Sequence, residues 1–276
     1  MSWTGLTLPI LLLFLTSASG REIRGTITES EPAKQQVSLT LESGKTLGPL
    51  EVGSGDAAIG YENQEIVGDL TESGKTMRLT HIWPDNQILA NAMAGVNRSL
   101  IRNAATLGRN DSLVRGDYLP DFALYNQRGE PVYSSHLRKS PTVLTFLFTR
   151  CGDPNMCPAT AARLSELGDR AAKAGWDQAR FVAVSFDPEY DTPGVLHQYG
   201  EVMGMNTPSF ELLTGDPEAI EALLRLVGVR TFDEDGTIVH NLVTLLTDSH
   251  GRIVLRQDGS RWSADAIYER LEEMNE

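Results

Sequence analysis

The two cysteines of this 276-residue chain stand in the segment Phe148-Thr-Arg-Cys151-Gly-Asp-Pro-Asn-Met-Cys157-Pro158, directly after the apolar run Thr142-Val-Leu-Thr-Phe-Leu. A short run of β-branched and aromatic residues closed by turn formers reads as a buried strand. Pro158 suits the first turn of a helix, where its missing N–H is no loss, and it puts Cys157 at or beside the N-cap. The segment therefore reads strand, cysteine loop, helix, which demands an α/β arrangement with both thiols at the end of a buried strand. Unpaired N–H groups and the positive end of the helix dipole predict a lowered pKa for Cys157. Five residues intervene between the cysteines, so the loop must fold back before the Cα atoms come within the roughly 4.4–6.8 Å that a disulfide needs. Gly152 and Pro154 are suited to that reversal. A structural disulfide closing a surface loop is the competing reading, although so small a ring stabilises little through chain entropy.

Around this segment the pattern changes along the chain. Residues 21–83 alternate short β-prone stretches with turn signals such as Glu42-Ser-Gly-Lys and Glu72-Ser-Gly-Lys, which predicts a small, OB-like β-barrel domain. Four strands are expected there, at residues 23–28, 36–41, 64–70 and 76–83. Within residues 84–110, Ile88, Leu89, Ala92, Met93, Val96, Leu100, Ala104 and Leu107 recur at helical spacing, which predicts a linking amphipathic helix packed between two domains. Residues 111–276 then alternate strands and helices: a hairpin across residues 126–129, a buried strand at 142–148, a helix at 158–173 and a buried strand at 180–186. Helices follow at 192–203 and 217–226, a hairpin at 242–256 and a closing helix at 263–274. This is the plan of a thioredoxin-like fold with an added N-terminal hairpin, so the chain is read as α/β with a small barrel in front.

Residues 1–20 carry an apolar core followed by Thr16-Ser-Ala-Ser-Gly20, the pattern of a signal peptide. It is too short to span a bilayer. A buried or membrane-anchoring N-terminal helix is the other reading, since no Lys or Arg precedes the run. The expectation is an exported protein, periplasmic or extracellular, and membrane-associated if the segment is not cleaved; two nearby cysteines can there exist as a disulfide. A net charge of −13 without a basic run disfavours nucleic-acid and anionic-membrane surfaces, which need clustered Lys and Arg. Asn97-Arg-Ser and Asn110-Asp-Ser match the glycosylation triplet, a short pattern that arises often by chance.

His240 is the remaining candidate. Counted back from the hairpin glycine Gly251, it falls just before the position where thioredoxins carry their cis-proline, on the loop that faces the cysteine pair in this fold. Two thiolates and an imidazole form a soft, three-coordinate set that suits copper, whereas zinc would want a fourth ligand or an open position. Here the chain resembles the Sco/SenC family of thioredoxin-like copper chaperones, which help assemble the copper centre of cytochrome c oxidase. The matching residues are Phe148-Thr-Arg-Cys151 with Cys157-Pro158, then Ser185-Phe-Asp-Pro-Glu-Tyr-Asp-Thr-Pro193 followed by Leu196 and Tyr199, and His240 ahead of Thr244-Leu-Leu-Thr-Asp-Ser-His-Gly251. The resemblance covers about residues 112–275. It implies that Cys151, Cys157 and His240 are copper ligands, for Cu(I) or Cu(II), and that a protein partner, such as a cytochrome c oxidase subunit, receives copper or electrons. The family pattern has three residues between the cysteines where this chain has five, and a membrane anchor where this chain shows a signal-like segment.

Asp187, at the end of the strand beside the site, is a candidate hydrogen-bond partner for His240; equally, Asp187 and Asp191 are candidates to cap the turn and the helix starting near Pro193. His81, His136, His197 and His250 read as solvated side chains. Three other functions compete with copper delivery. In a thiol–disulfide oxidoreductase one cysteine of the redox pair Cys151/Cys157 attacks and the other resolves. A peroxiredoxin-like peroxidase would carry threonine three residues before the reactive cysteine, where this chain has Phe148. A structural adaptor would act through its β-domain.

Overall fold

The computed structural model of the chain describes residues 20–108, 111–234 and 237–275. The signal-like segment up to residue 19 and Asn110 of the second glycosylation triplet lie outside the described residues. The N-terminal part is a closed barrel of β1 (Arg21–Glu31), β2 (Gln36–Thr40), β3 (Thr46–Glu51), β4 (Glu65–Ser73) and β5 (Thr76–Pro84), with a 3-10 turn at Pro32–Lys34 and a short helix α1 (Ser54–Ile59). Its strand order is β1-β2-β3-β5-β4 with β4 returning to β1. The neighbours pair antiparallel except β3 and β5, which meet in parallel at Glu51 and Arg78. Ile27, Leu39, Leu50, Ile66, Leu79 and Ile82 fill the barrel with no exposed surface. Strand β3 was not expected from sequence, because Gly48-Pro49 reads as a turn and Leu50 is its one buried side chain.

The linking helix α2 (Gln87–Thr106) is capped by Asn86, whose Oδ1 accepts from the Leu89 N–H at 3.0 Å. It buries Met93, Asn97, Leu100 and Ala104, one face of a helix. That face does not lie between the two parts as expected. Leu100 and Ala104 join the C-terminal hydrophobic core, because the apolar surface available to them belongs to that part. Asn97 is buried there and exchanges two 2.9 Å hydrogen bonds with the backbone of Ala123, so the first glycosylation triplet serves the fold.

The C-terminal part is built on β6 (Ala123–Asn126), β7 (Pro131–Tyr133), a one-turn helix α3 (Ser134–Leu137), β8 (Thr142–Leu147), α4 (Cys157–Lys173) and β9 (Arg180–Ser185). It continues through α5 (Pro193–Met203), β10 (Phe210–Thr214), α6 (Pro217–Val227), β11 (Thr231–Glu234), β12 (Thr237–His240), β13 (Val243–Thr247), β14 (Ile253–Asp258) and α7 (Ala264–Asn275). Seven strands form one sheet in the order β14-β13-β8-β9-β10-β6-β7, while β11 and β12 pair as a separate hairpin. Strands β8, β9 and β10 are parallel, joined through α4 and α5, which touch each other, while α2 packs against α6. Every residue of β8 is buried, as a central parallel strand covered on both faces should be. Gly168 lets α4 approach the sheet, since a Cβ there would lie 2.2 Å from the Phe210 ring.

Candidate metal centre

The site forms where β8 and β9 end. Past β8 the chain runs through Phe148, Thr149, Arg150 and Cys151 and turns into α4, whose N-cap is Met156 and whose first residue is Cys157. The loop reversal brings one donor atom each from Cys151, Cys157 and His240 within 4.8 Å of one another. Among the described residues this is the one cluster of at least three His, Cys, Asp or Glu side chains able to hold an ion. Both cysteines are free thiols; Cys157 is fully buried and Cys151 half-buried.

His240 ends β12, so the loop expected from sequence is a hairpin strand, held by the pairing of Thr231 with His240. Its Nδ1 lies 3.1 Å from the Asn241 carbonyl oxygen. A carbonyl only accepts, so Nδ1 carries the proton and Nε2 keeps its lone pair. That Nε2 lies 3.4 Å from the Cys157 Sγ, which donates to it as a thiol. Burial holds the imidazole below its ordinary value of 6.5 despite the Asn241 bond. Phe148 and Phe186 wall the ring with centroids at 5.7 and 4.7 Å.

Cys157 corrects the sequence expectation of a lowered pKa. Burial pushes its thiol well above the ordinary cysteine range, the neighbouring Cys151 and Asp191 add to the rise, and a backbone hydrogen bond from Phe148 only partly opposes it. Desolvation outweighs the helix terminus because the sulfur is enclosed. A soft cation would reverse that balance by supplying the positive charge a buried thiolate lacks. Two thiols and a lone-pair imidazole thus fit copper in number, softness and tautomer.

Asp187 is placed elsewhere than expected: its carboxylate accepts from Arg150 Nε at 2.9 Å and Nη2 at 2.7 Å, while the Arg150 guanidinium lies 4.4 Å over the Tyr190 ring. It does not cap the following helix either, for Thr192 is the N-cap of α5. Asp191, fully buried, accepts from the Thr149 N–H at 3.1 Å and from the hydroxyls of Thr149 and Ser185. This carboxylate ties the start of the cysteine loop to the end of β9. The roles of Asn241, Arg150 and Asp191 were not read from sequence, because each depends on a partner brought near by the fold. The other histidines stand apart; His81 faces Asp69 at 3.1 Å, while His197, expected to be solvated, has a side chain only 16% exposed because α5 packs it against the Gln127 carbonyl at 3.2 Å.

Known proteins resemble this chain in sequence and in fold. The SCO1/SenC family profile matches residues 110–276. The chain is 31% identical over 130 residues to the mitochondrial protein SCO1 homolog 1 of Arabidopsis thaliana, covering 45% of this chain and 37% of that protein. It is 30% identical over 139 residues to a SCO2-like protein of Rickettsia felis, covering 48% of this chain and 65% of that protein. Among solved structures it resembles Arabidopsis thaliana ScoI with copper bound, at a TM-score of 0.50 and 26% identity over 58% of this chain and 98% of that one. The barrel of residues 21–84 lies outside the family match, whereas the cysteine loop, the segment with Asp187 and Asp191, and the histidine hairpin all fall within it. From residue 110 onward, this chain belongs to the SCO1/SenC family.

Proposed function

We propose that this protein binds copper through Cys151, Cys157 and His240 outside the cytoplasm and passes it by ligand exchange to a protein partner, in the assembly of the cytochrome c oxidase copper centre. The observation that carries this reading is the convergence of two sulfurs and the Nε2 of a neutral imidazole within 4.8 Å. Copper bound in a similar solved structure supports it, and the signal-like N-terminus supports a periplasmic or extracellular location. Among the described residues no helix is long and apolar enough to cross a membrane. The test is competition with a Cu(I) chelator under reducing conditions. One Cu(I) per chain is expected, lost on replacing either cysteine by Ser and weakened at least tenfold in His240→Ala. Unchanged affinity in both cysteine variants would overturn the reading.

A second reading rests on the same two sulfurs. Cys151 and Cys157 can give up two electrons and two protons to a partner's disulfide, forming their own disulfide and leaving the partner as two thiols. His240 discriminates, since copper needs its nitrogen as a ligand while thiol exchange requires only the cysteines. Copper binding weakened at least tenfold with thiol exchange retained in His240→Ala is the pattern expected if both activities reside here.

A further inference from the structure

The barrel and the sheet meet at α1 and α5, and the contact is close enough to leave no room for added side-chain atoms at two glycines. A Cβ at Gly194 would lie 2.1 Å from the Asp56 Oδ1, and the existing hydrogen at Gly55 is all that fits there, since a Cβ would lie 1.8 Å from the Gly194 carbonyl oxygen. Asp56 is 6% exposed, and among the described residues the one hydrogen bond to its carboxylate comes from the Tyr61 hydroxyl at 3.3 Å. A carboxylate enclosed with no cation beside it is costly. The Asp56 Oδ1 is packed directly against Gly194 in the first turn of α5.

That turn leads directly back to the site. Gly194 is two residues after Thr192, the N-cap whose Oγ1 accepts from the Val195 N–H at 3.4 Å, and three after Asp191, which holds Thr149 and Ser185. Thr149 is two residues before Cys151. A continuous path of close packing at Gly55 and Gly194, the α5 backbone and the hydrogen bonds of Asp191 therefore runs from the barrel to the cysteine loop.

We infer that the N-terminal barrel is part of the scaffold of the cysteine–histidine site, with Asp56 a positioning residue that holds the first turn of α5 and, through Asp191, the loop carrying Thr149 and Cys151. The inference rests on the copper reading only for its consequence in affinity. Its structural claim can be read in the metal-free protein.

The experiment compares the full chain with Gly55→Ala, a substitution in the barrel that forces α1 away from the Gly194 carbonyl. Amide hydrogen exchange is followed without metal, and Cu(I) affinity by chelator competition. The Thr149 amide, bonded to Asp191, is expected to exchange at least tenfold faster, and Cu(I) to bind at least tenfold more weakly, while the barrel amides keep their protection. Faster exchange confined to residues 193–196, with Thr149 and Cu(I) affinity both within twofold of the parent, would make the barrel a passenger and overturn the inference. If the parent chain itself binds no Cu(I), the copper reading fails but the Thr149 exchange still decides the scaffold. Should Gly55→Ala not fold, Asp56→Ala, which adds no atoms, is read in the same way, with at least threefold faster Thr149 exchange expected and an unchanged rate overturning it.

Discussion

The Nε2 of His240 lies 3.4 Å from the Sγ of Cys157 across a space closed by Phe148 and Phe186. With Nδ1 committed to the Asn241 carbonyl, the imidazole can present only its lone pair to that sulfur. The pair is thus preset for an electrophile that takes both atoms as donors.

Burial of this ring has a pH signature. Because the folded-state pKa of His240 is depressed below 6.5, its contribution to stability is present above 6.5 and is lost as pH falls from there through the folded value. An NMR titration of the ring protons in the metal-free protein should give a midpoint below 6.5. A midpoint at or above that value would mean that the ring is solvated or faces a charge.

The two thiols should react unequally. Cys157 is enclosed and its thiol is pushed upward by burial, whereas Cys151 is half-buried at the loop surface. Thiolate fraction and access both govern alkylation. Brief iodoacetamide treatment of the reduced, metal-free protein at pH 8, followed by peptide mass spectrometry, should label Cys151 at least about tenfold faster. Equal labelling would contradict the enclosed position of Cys157.

Asp191 should matter for stability beyond its own volume. Its replacement by Ala removes the acceptor of the Thr149 N–H and of two hydroxyls, leaving buried donors unsatisfied. Denaturant unfolding should show a loss of about 1.5–3 kcal/mol, the range for hydrogen bonds to a charged group. A change below about 0.5 kcal/mol, the level of an ordinary surface substitution, would count against the network.

Asp56 provides an opposite pH dependence to that of His240. Burial raises its pKa from 3.8 to about 7, with the Tyr61 hydrogen bond opposing. A carboxyl raised in the folded state stabilises most below its unfolded value, and that contribution is lost as pH rises through about 7. The stability difference between the parent and Asp56→Asn should therefore shift against the parent from about pH 4 to about pH 7 and level off above. A difference that stays flat across this window would show the carboxylate to be solvated.

Much of the architecture was legible locally. The apolar run ahead of Cys151, the helix opened at Pro158 and the alternation of strands and helices from Ala123 onward are short-range patterns, and β8, α4 and β9 lie where those patterns put them. The OB-like barrel was likewise announced by its turn residues. The convergence of Cys151, Cys157 and His240 was expected from where a thioredoxin-like topology brings its loops together, and their donor atoms do lie within 4.8 Å of one another.

What local pattern could not decide was anything that depends on a distant neighbour. The six-residue α1 has no strong helical signal and is held by α5, and α2 took the sheet's core because that was the apolar surface facing it. Asp187 was a candidate partner for His240, but Arg150 holds its carboxylate and the Asn241 carbonyl takes the imidazole Nδ1 instead. The direction of the Cys157 shift reversed because a pKa answers to enclosure as well as to the helix end, and enclosure exists only once the chain is packed. Residue type and spacing determined which groups could meet, while the tertiary structure decided which partner each one kept and how much water was left around it.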